Sequence, residues 1–513
     1  MRLVGLRVEI RPAEVGLTQP PCFWERPTGT RSEQSAAATL RRYMSHVTLA
    51  QAMSEVSSNR RTGLKIKSTL GRFEVDRAVF FGLLSRIWGL AAGSVTAILV
   101  ATHFSPELQG YYYTFTTILA LQVFVELGLG TVAAQFASHE WSKLNLNASG
   151  HIMGDKDALS RLISIANLIT TWFLFGGILV AIGLGAVGYV FFSTSPGHNI
   201  NWRSPWFLLC AVTGPAIWMV PTWSLLEGCN QVGRLYSFRF FQGLLVSVAV
   251  WIAILSGAGL WTASISGIAA LFCSIVFLKR RYWGFVKTLL LSKPAGPQIK
   301  WRTDMLPMQW RIAVTWMSGY LYFSLFTPVL FKYHGPVVAG QMGMTWALVG
   351  LVGSISISWL SPRVPQFGML IAQRRYSDLD QLFWKITRIV VVVTVLVAAS
   401  IWGGVCLLNV MNQPIAKRLA ARLLPPIPTG FFLLGQLLMV TSAPFSVYLR
   451  AHKKEPMMVV SVTAAIFIAV ATVILGKYSS ATAVAIGYCL VQLMVVPFVF
   501  LIWLRRRAEW HRV

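Results

Sequence analysis

The sequence predicts an all-α polytopic membrane protein of about twelve transmembrane helices, and three observations carry that expectation. Of its 513 residues 55% are hydrophobic and 12% charged, with a mean hydropathy of +0.60, whereas soluble domains carry roughly 25% charged residues. Apolar runs of about 18 residues or more recur along the chain, each long enough to cross a hydrocarbon core about 30 Å thick at about 1.5 Å per residue. Lysine and arginine fall on alternate sides of these runs, as the positive-inside rule requires.

The runs place spans at 78–101, 111–134, 163–192, 205–226, 240–260, 262–278, 312–331, 338–360, 388–410, 428–448, 457–476 and 482–504. The fifth and sixth are divided only by Ser256-Gly257-Ala258-Gly259, a turn signal inside a nearly continuous apolar stretch. Charge arbitrates. With twelve spans, Arg60, Lys65, Arg77, Lys279, Arg280, Arg281, Arg374, Arg375, Lys453, Lys454 and Arg505 to Arg507 share one side, and Arg203, Lys332, Lys417, Arg418, Arg422 and Lys477 hold the other. Both termini are then expected in the cytoplasm of a cell (inner) membrane protein. The same distribution accounts for most of the net charge of +27 through contact with anionic headgroups, so no nucleic-acid partner is expected.

Residues 1–75 are basic, with scattered Arg, Pro and Ser and no sustained apolar period. They read as a disordered extension or as a start assigned too far upstream, with Met44 or Met53 as the alternative. The six cysteines show no Cys-x-x-Cys and no zinc spacing, and the eight histidines are dispersed. Neither a metal nor any other cofactor is implied. Asn147-Ala-Ser149 fits a glycosylation acceptor but falls in a loop assigned to the cytoplasm.

External loops are short, up to about 18 residues at 410–428, and Glu107 is nearly the only external carboxylate. A membrane glycan polymerase or ligase needs a larger external loop with acidic residues, so the expectation is a transporter and not an enzyme. Pro106-x-x-x-Gly110, after His103, and Pro336-x-x-x-Gly340, after His334, each open an even-numbered span. They divide the chain into an N-terminal lobe (76–278), a basic linker (279–311), a C-terminal lobe (312–504) and a basic tail (505–513). Six spans per lobe make this a parallel pseudo-repeat.

Gln109-Gly-Tyr-Tyr-Tyr-Thr-Phe115, Phe124-Val-Glu126-Leu-Gly-Leu-Gly130 and Phe136-Ala-Ser-His139-Glu140 resemble the polysaccharide (O-antigen type) flippases of the multidrug/oligosaccharidyl-lipid/polysaccharide exporter superfamily. Leu226-Glu227-Gly-Cys-Asn-Gln-Val232, Gln309-Trp-Arg311, Gly319-Tyr320, Pro328, Phe331-Lys-Tyr-His-Gly335 and Gly340-Gln-Met-Gly343-Met-Thr345 add to the resemblance, which covers about 75–505. It implies a V-shaped central cavity between the lobes. The implied activity is alternating-access translocation of a polyprenyl-pyrophosphate-linked oligosaccharide for O-antigen or surface-polysaccharide assembly. Lipid-linked oligosaccharide, membrane lipids and other polysaccharide-assembly proteins are the implied partners.

A pyrophosphate favours arginine, whose planar fork binds it bidentately, and ionisable residues inside spans are functional candidates. Arg86 and Arg311 are the leading substrate-binding candidates, with Arg302, Lys332 and Tyr320 beside them. Tyr322 and Trp346 join Tyr320 as candidates to stack on sugar rings. Each has a plainer role: Arg86 can snorkel to headgroups, Arg311 and Lys332 can anchor the interface, and the aromatic residues can be interfacial anchors. Glu126, at a depth similar to Arg86, is either its structural partner or an ion-coupling site. Glu227 is expected to pair with Arg234 or Arg239. Gly89, Gly93, Gly319 and Pro328 are candidate hinges. A cation-coupled multidrug antiporter of the same superfamily is the main alternative; it prefers acidic and aromatic cavity residues.

Overall fold

The computed structural model describes residues 77–147, 152–195, 200–452 and 456–511, all within one compact unit, Glu74–Val513. The extension 1–75 and the acceptor serine at 149 lie outside the described residues. Among the described residues the regular structure is helical apart from a short antiparallel hairpin, Leu144–Leu146 with Ile152–Gly154.

The N-terminal lobe begins with α1 (Arg77–His103). A second span follows in pieces: α2 (Pro106–Leu119), α3 (Val123–Glu126) and α4 (Leu129–Trp141). Next come α5 (Lys156–Ser193), α6 (Arg203–Trp218) with α7 (Val220–Gly228), α8 (Val232–Leu255) and α9 (Trp261–Arg281). A connector carries α10 (Trp283–Leu291). The C-terminal lobe contains α11 (Leu306–Phe323), α12 (Phe326–Leu360), α13 (Val364–Ala372), α14 (Tyr376–Val410), α15 (Pro414–Ala420), α16 (Pro426–Ala451), α17 (Met458–Tyr478) and α18 (Ala481–Trp510).

Among the described residues ten helices are long and apolar enough to cross a membrane, and the bent second span makes eleven. One of the ten, Trp301–Ala372, runs for 72 residues, about 108 Å of helix against a core of about 30 Å. It is two crossings. Gly335 (φ +84°, ψ 176°) breaks it, the added ring of Pro336 removes a backbone donor there, and the halves on either side give the seventh and eighth spans. The expected twelve are thereby recovered. The division of spans five and six also stands where Gly257 (φ +75°) and Gly259 (φ +57°) turn the chain, a left-handed backbone that glycine adopts without strain.

The second span differs from the straight helix expected. It bends by 47° where Leu127 (φ +47°) and Gly128 (φ +64°) leave helical geometry. Two contacts explain the break. The Val125 carbonyl, released from the helix, accepts a hydrogen bond from Trp172 Nε1 at 3.0 Å, as an apolar medium demands. A Cβ on Gly128 would lie 2.3 Å from Ile312 Cγ2, so glycine lets α11 approach.

A core centred on Phe115, Phe173, Phe192 and Trp206 fills the N-terminal lobe and takes in Phe331 and Ala339 of α12. In the C-terminal lobe Phe326, Phe432 and Tyr488 pack near one end, and Phe367, Phe383, Tyr448 and Trp503 near the other. The linker is not a free tether: Gly296 N–H donates to Ser160 Oγ (2.8 Å) and Ile299 N–H to Ser164 Oγ (3.0 Å), laying it along α5. We name the end that holds Arg77, Arg281, Arg374 and Arg505 the inner end, by the charge rule, and the opposite end the outer.

Candidate translocation site

The lobes meet most closely at the outer end, through the two Pro-x-x-x-Gly segments noted in the sequence. Ser105 caps α2, accepting Leu108 N–H at 3.1 Å, and Pro106 fills the first turn, where its missing donor costs nothing. Here α2 crosses α12 backbone to backbone. A Cβ on Gly110 would lie 1.9 Å from the Pro336 carbonyl oxygen; one on Gly340 would lie 2.9 Å from Gly110 N and 3.2 Å from the Pro106 oxygen. One turn further on, Gly343 faces Tyr113. Small residues four apart permit such crossings.

Polar contacts seal this crossing. Gln109, 1% exposed, donates to the Gly340 and Arg422 carbonyls at 2.9 and 3.1 Å. Arg422, in the 410–428 loop, donates to Gln109 Oε1 at 3.4 Å and to the Phe104 carbonyl. Burial lowers the Arg422 pKa and the Glu107 carboxylate raises it; guanidinium remains cationic either way. Leu424 N–H donates to Thr345 Oγ1 at 2.9 Å. The outer end is therefore closed.

Below this closure a cavity of about 660 Å³ lies between α1 and the C-terminal lobe, lined by Arg86, Leu90, Trp346, Ser354, Ser358 and Gln436, among others. It extends from mid-membrane, where Trp346 and Gln436 lie about ten residues from the outer ends of their helices, toward the inner end at Ser358. A second cavity, of about 400 Å³, lies at the other flank, lined by Glu126, Thr131, Gln135, Ser224, Glu227 and Trp316, among others.

The proposed Arg86–Glu126 pair is not made, which corrects the expectation from depth. The two residues line different cavities, and neither takes part in the ion pairs among the described residues. Depth is set by position along each helix, whereas pairing depends on azimuth, and the bend at Leu127–Gly128 turns the Glu126 segment toward α11. Between the cavities stands Tyr236. Its ring lies 3.4 Å from the Cβ position of Gly82, one turn from Arg86, and its hydroxyl reaches Glu227 Oε1 at 3.5 Å. Glu227 pairs with Arg239, at 3.8 Å, rather than Arg234.

The other candidates fall elsewhere. Tyr320 is buried, 5.5 Å from the Phe124 ring, and does not line the cavity; Trp346 does. Lys332 sits at the outer end, where Nζ donates to the Thr194 carbonyl (2.9 Å) and hydroxyl (2.6 Å), so it joins the lobes by closing the end of α5. Arg311 is exposed at the inner end with its guanidinium 5.5 Å from the Trp310 ring, and Arg302 is exposed on the linker. Gly89, Gly93 and Gly319 have nothing within 4 Å of a Cβ, so none is a close-packing glycine, while Pro328 is buried in α12.

Sequence reasoning passed over Gln109, Arg422, Gln436 and Ser354 as site residues. The Pro-x-x-x-Gly repeat was the available signal for the first pair, because it marked where two equivalent helices could touch. Gln436 and Ser354 carried none. Among the described residues no cluster of three His, Cys, Asp or Glu side chains could hold a metal.

No protein-family model matches the sequence, and no curated protein matches it. Solved structures do. An inward-facing multidrug-resistance MATE-family transporter of the MOP superfamily aligns with a TM-score of 0.61 at 15% identity, over 84% of this chain and 96% of that one. Lipid II flippase MurJ in an inward closed conformation gives 0.60 at 14%, over 82% and 87%. An outward-facing MATE-family structure gives 0.53 at 15%, over 85% and 96%. This chain thus shares the two-lobed helical fold of these solved transporters.

Proposed function

We propose that this protein is a flippase that moves a polyprenyl-pyrophosphate-linked oligosaccharide across the cell inner membrane by alternating access, as a step in O-antigen or surface-polysaccharide assembly. It acts without catalytic chemistry or a cofactor, alongside other polysaccharide-assembly proteins. The observation that carries the reading is the cavity at the lobe interface, which offers one guanidinium (Arg86), hydroxyls (Ser354, Ser358), an amide (Gln436) and an aromatic ring (Trp346) together. A pyrophosphate is suited to the guanidinium, and sugars to the hydroxyls, amide and ring. Arg311 and Arg302 supply positive charge at the inner approach, and the fold shared with a lipid II flippase is compatible with a lipid-linked cargo.

The cavity holding Glu126, Glu227 and Trp316 favours a second reading, a cation-coupled multidrug antiporter, because carboxylates and an aromatic face suit a cation. Deletion of the gene separates the two. The flippase reading expects lipid-linked oligosaccharide to accumulate on the inner leaflet with drug susceptibility unchanged. Loss of drug resistance with normal surface glycan would reverse that choice.

A further inference from the structure

The lipid-facing side of the N-terminal lobe carries a groove that the transport reading does not use. It has a volume of about 580 Å³ and lies between α8 and α9 with the start of α1 at its mouth. Four arginines surround its inner end: Arg77, Arg234, Arg280 and Arg281. Its walls are apolar, with Phe238, Phe241, Leu245, Phe272 and Val276 along it. It shares no lining residue with the cavity of Arg86 or with that of Glu126.

Charge and geometry both point to the occupant. None of the four guanidiniums enters an ion pair among the described residues. Arg77 donates to Ser237 Oγ at 3.1 Å and Arg234 to Gln231 Oε1 at 3.5 Å, both neutral acceptors. The nearby carboxylate of Glu227 is engaged by Arg239. Four like charges so arranged repel one another unless an anion sits among them. The walls define the rest. Phe241 and Leu245 lie seven and eleven residues beyond Arg234, about 10 and 16 Å along the helix, and Phe272 lies nine residues before Arg281, about 13 Å. These depths match one leaflet of a core about 30 Å thick. Phe241, Leu245 and Phe272 are 54%, 54% and 66% exposed, so the groove opens laterally to lipid.

We infer that this groove binds an anionic glycerophospholipid of the inner leaflet, with the phosphate among Arg77, Arg234, Arg280 and Arg281 and an acyl chain along Phe241, Leu245 and Phe272. Basic pockets between helices at this level bind acidic headgroups. The bound lipid bridges α1 to the α8–α9 pair. Few residues of α1 are buried inside the protein, 11% of its most apolar window, so the lipid adds a brace where protein packing is thin. A free phosphate satisfies the arginines but leaves the apolar walls uncovered.

Cys273 lines the groove and reports on it in the unaltered protein. The full chain in detergent is treated with a maleimide, and modification of Cys273 is followed by peptide mass spectrometry as vesicle lipid is added. Phosphatidylglycerol is expected to slow modification at least fivefold and to raise the unfolding temperature, with phosphatidylcholine doing neither. The variant Arg77→Gln/Arg234→Gln/Arg280→Gln/Arg281→Gln is expected to lose both effects and to retain at least tenfold less phosphatidylglycerol in native mass spectrometry. A control with four exposed arginines changed elsewhere, Arg363→Gln/Arg374→Gln/Arg388→Gln/Arg505→Gln, is expected to keep them. Equal protection of the wild type by phosphatidylcholine or by inorganic phosphate alone overturns the assignment. Stronger protection by a polyprenyl pyrophosphate than by phosphatidylglycerol also overturns it, by identifying the groove as a station for transported lipid.

Discussion

At the scale of single residues, the two leading arginines are separated by where they sit. Arg86 is the guanidinium in the larger interface cavity, and Arg311 stands outside it over Trp310. On the flippase reading, removing a charge-assisted contact costs about 1.5–3 kcal/mol, so Arg86→Ala is expected to lower glycan export roughly ten- to a hundredfold, with Arg86→Lys restoring part of it because the planar fork is lost. Export normalised to membrane protein level is the measurement. Full rescue by lysine would identify Arg86 as a snorkelling anchor, since both side chains snorkel equally well. Gly110 offers an independent test of the outer closure. A methyl at Gly110 overlaps the Pro336 carbonyl, and overpacking of this kind costs about 1–3 kcal/mol. Gly110→Ala should therefore shift the protein toward outer-open forms. A thiol introduced as Met344→Cys, in a chain whose six native cysteines are replaced, should then react faster with an impermeant reagent from the outer side; unchanged reactivity would remove Gly110 from the closure.

At the scale of elements, the packing of α1 and the fastening of α18 differ sharply. α1 is held to α8 by Trp88 Nε1–Ser247 Oγ (3.2 Å) and Trp251 Nε1–Thr96 Oγ1 (2.9 Å), and its Gly89 and Gly93 face open space. Because nothing occupies that space, Gly89→Ala/Gly93→Ala should leave stability unchanged or raise it by up to about 1 kcal/mol per site, as alanine favours helix. Loss of export despite that stability would mark α1 as a bending element; unaltered export would exclude the two glycines as hinges. α18 is instead clasped at the inner end. Arg507 Nε donates to Asp380 Oδ2 at 3.0 Å, Tyr448 Oη donates to Asp380 Oδ1 at 2.9 Å, and His511 Nε2 lies 3.0 Å from Tyr448 Oη. Burial lowers the His511 pKa, His452 and Arg507 lower it further, and Asp380 opposes them. A histidine whose folded pKa is depressed contributes stability that is present above its unfolded value, about 6.5, and lost as pH falls through the folded value. Unfolding temperature should accordingly drop below about pH 6.5, and His511→Gln should flatten that dependence. An identical pH profile in the variant would remove His511 as its source.

At the scale of the whole molecule, the lobes are joined at the outer end by α2 against α12, by Gln109 with Arg422 and by Lys332 with Thr194. In the alternating-access cycle proposed for this chain, these contacts would break together and inner-end contacts would form. Orientation is the frame for that cycle. Reporter fusions at Ser292 and after Val513 are expected to read as cytoplasmic, because the basic ends of an even number of spans share one side. An external reading at either position would overturn the assignment of inner and outer ends.

Hydropathy, charge alternation and turn residues are local properties, so the membrane class, the two-lobed helical architecture and nearly every span can be read along the chain. Even the division at Ser256–Gly259, the least marked, rests on two glycines whose positive φ the structure shows. Tertiary structure alone decided the rest. The bend at Leu127–Gly128 depends on Ile312, far away in sequence, and it sets Glu126 in a different cavity from Arg86. Tyr320 packs against Phe124 and leaves Trp346 to face the cavity. The two Pro-x-x-x-Gly segments were visible as repeats, but that they touch is a property of two helices crossing at backbone distance. Azimuth around a helix buried in lipid is poorly encoded by composition, because lipid-facing and core-facing sides are both apolar, so only packing between distant segments selects which side chain meets which.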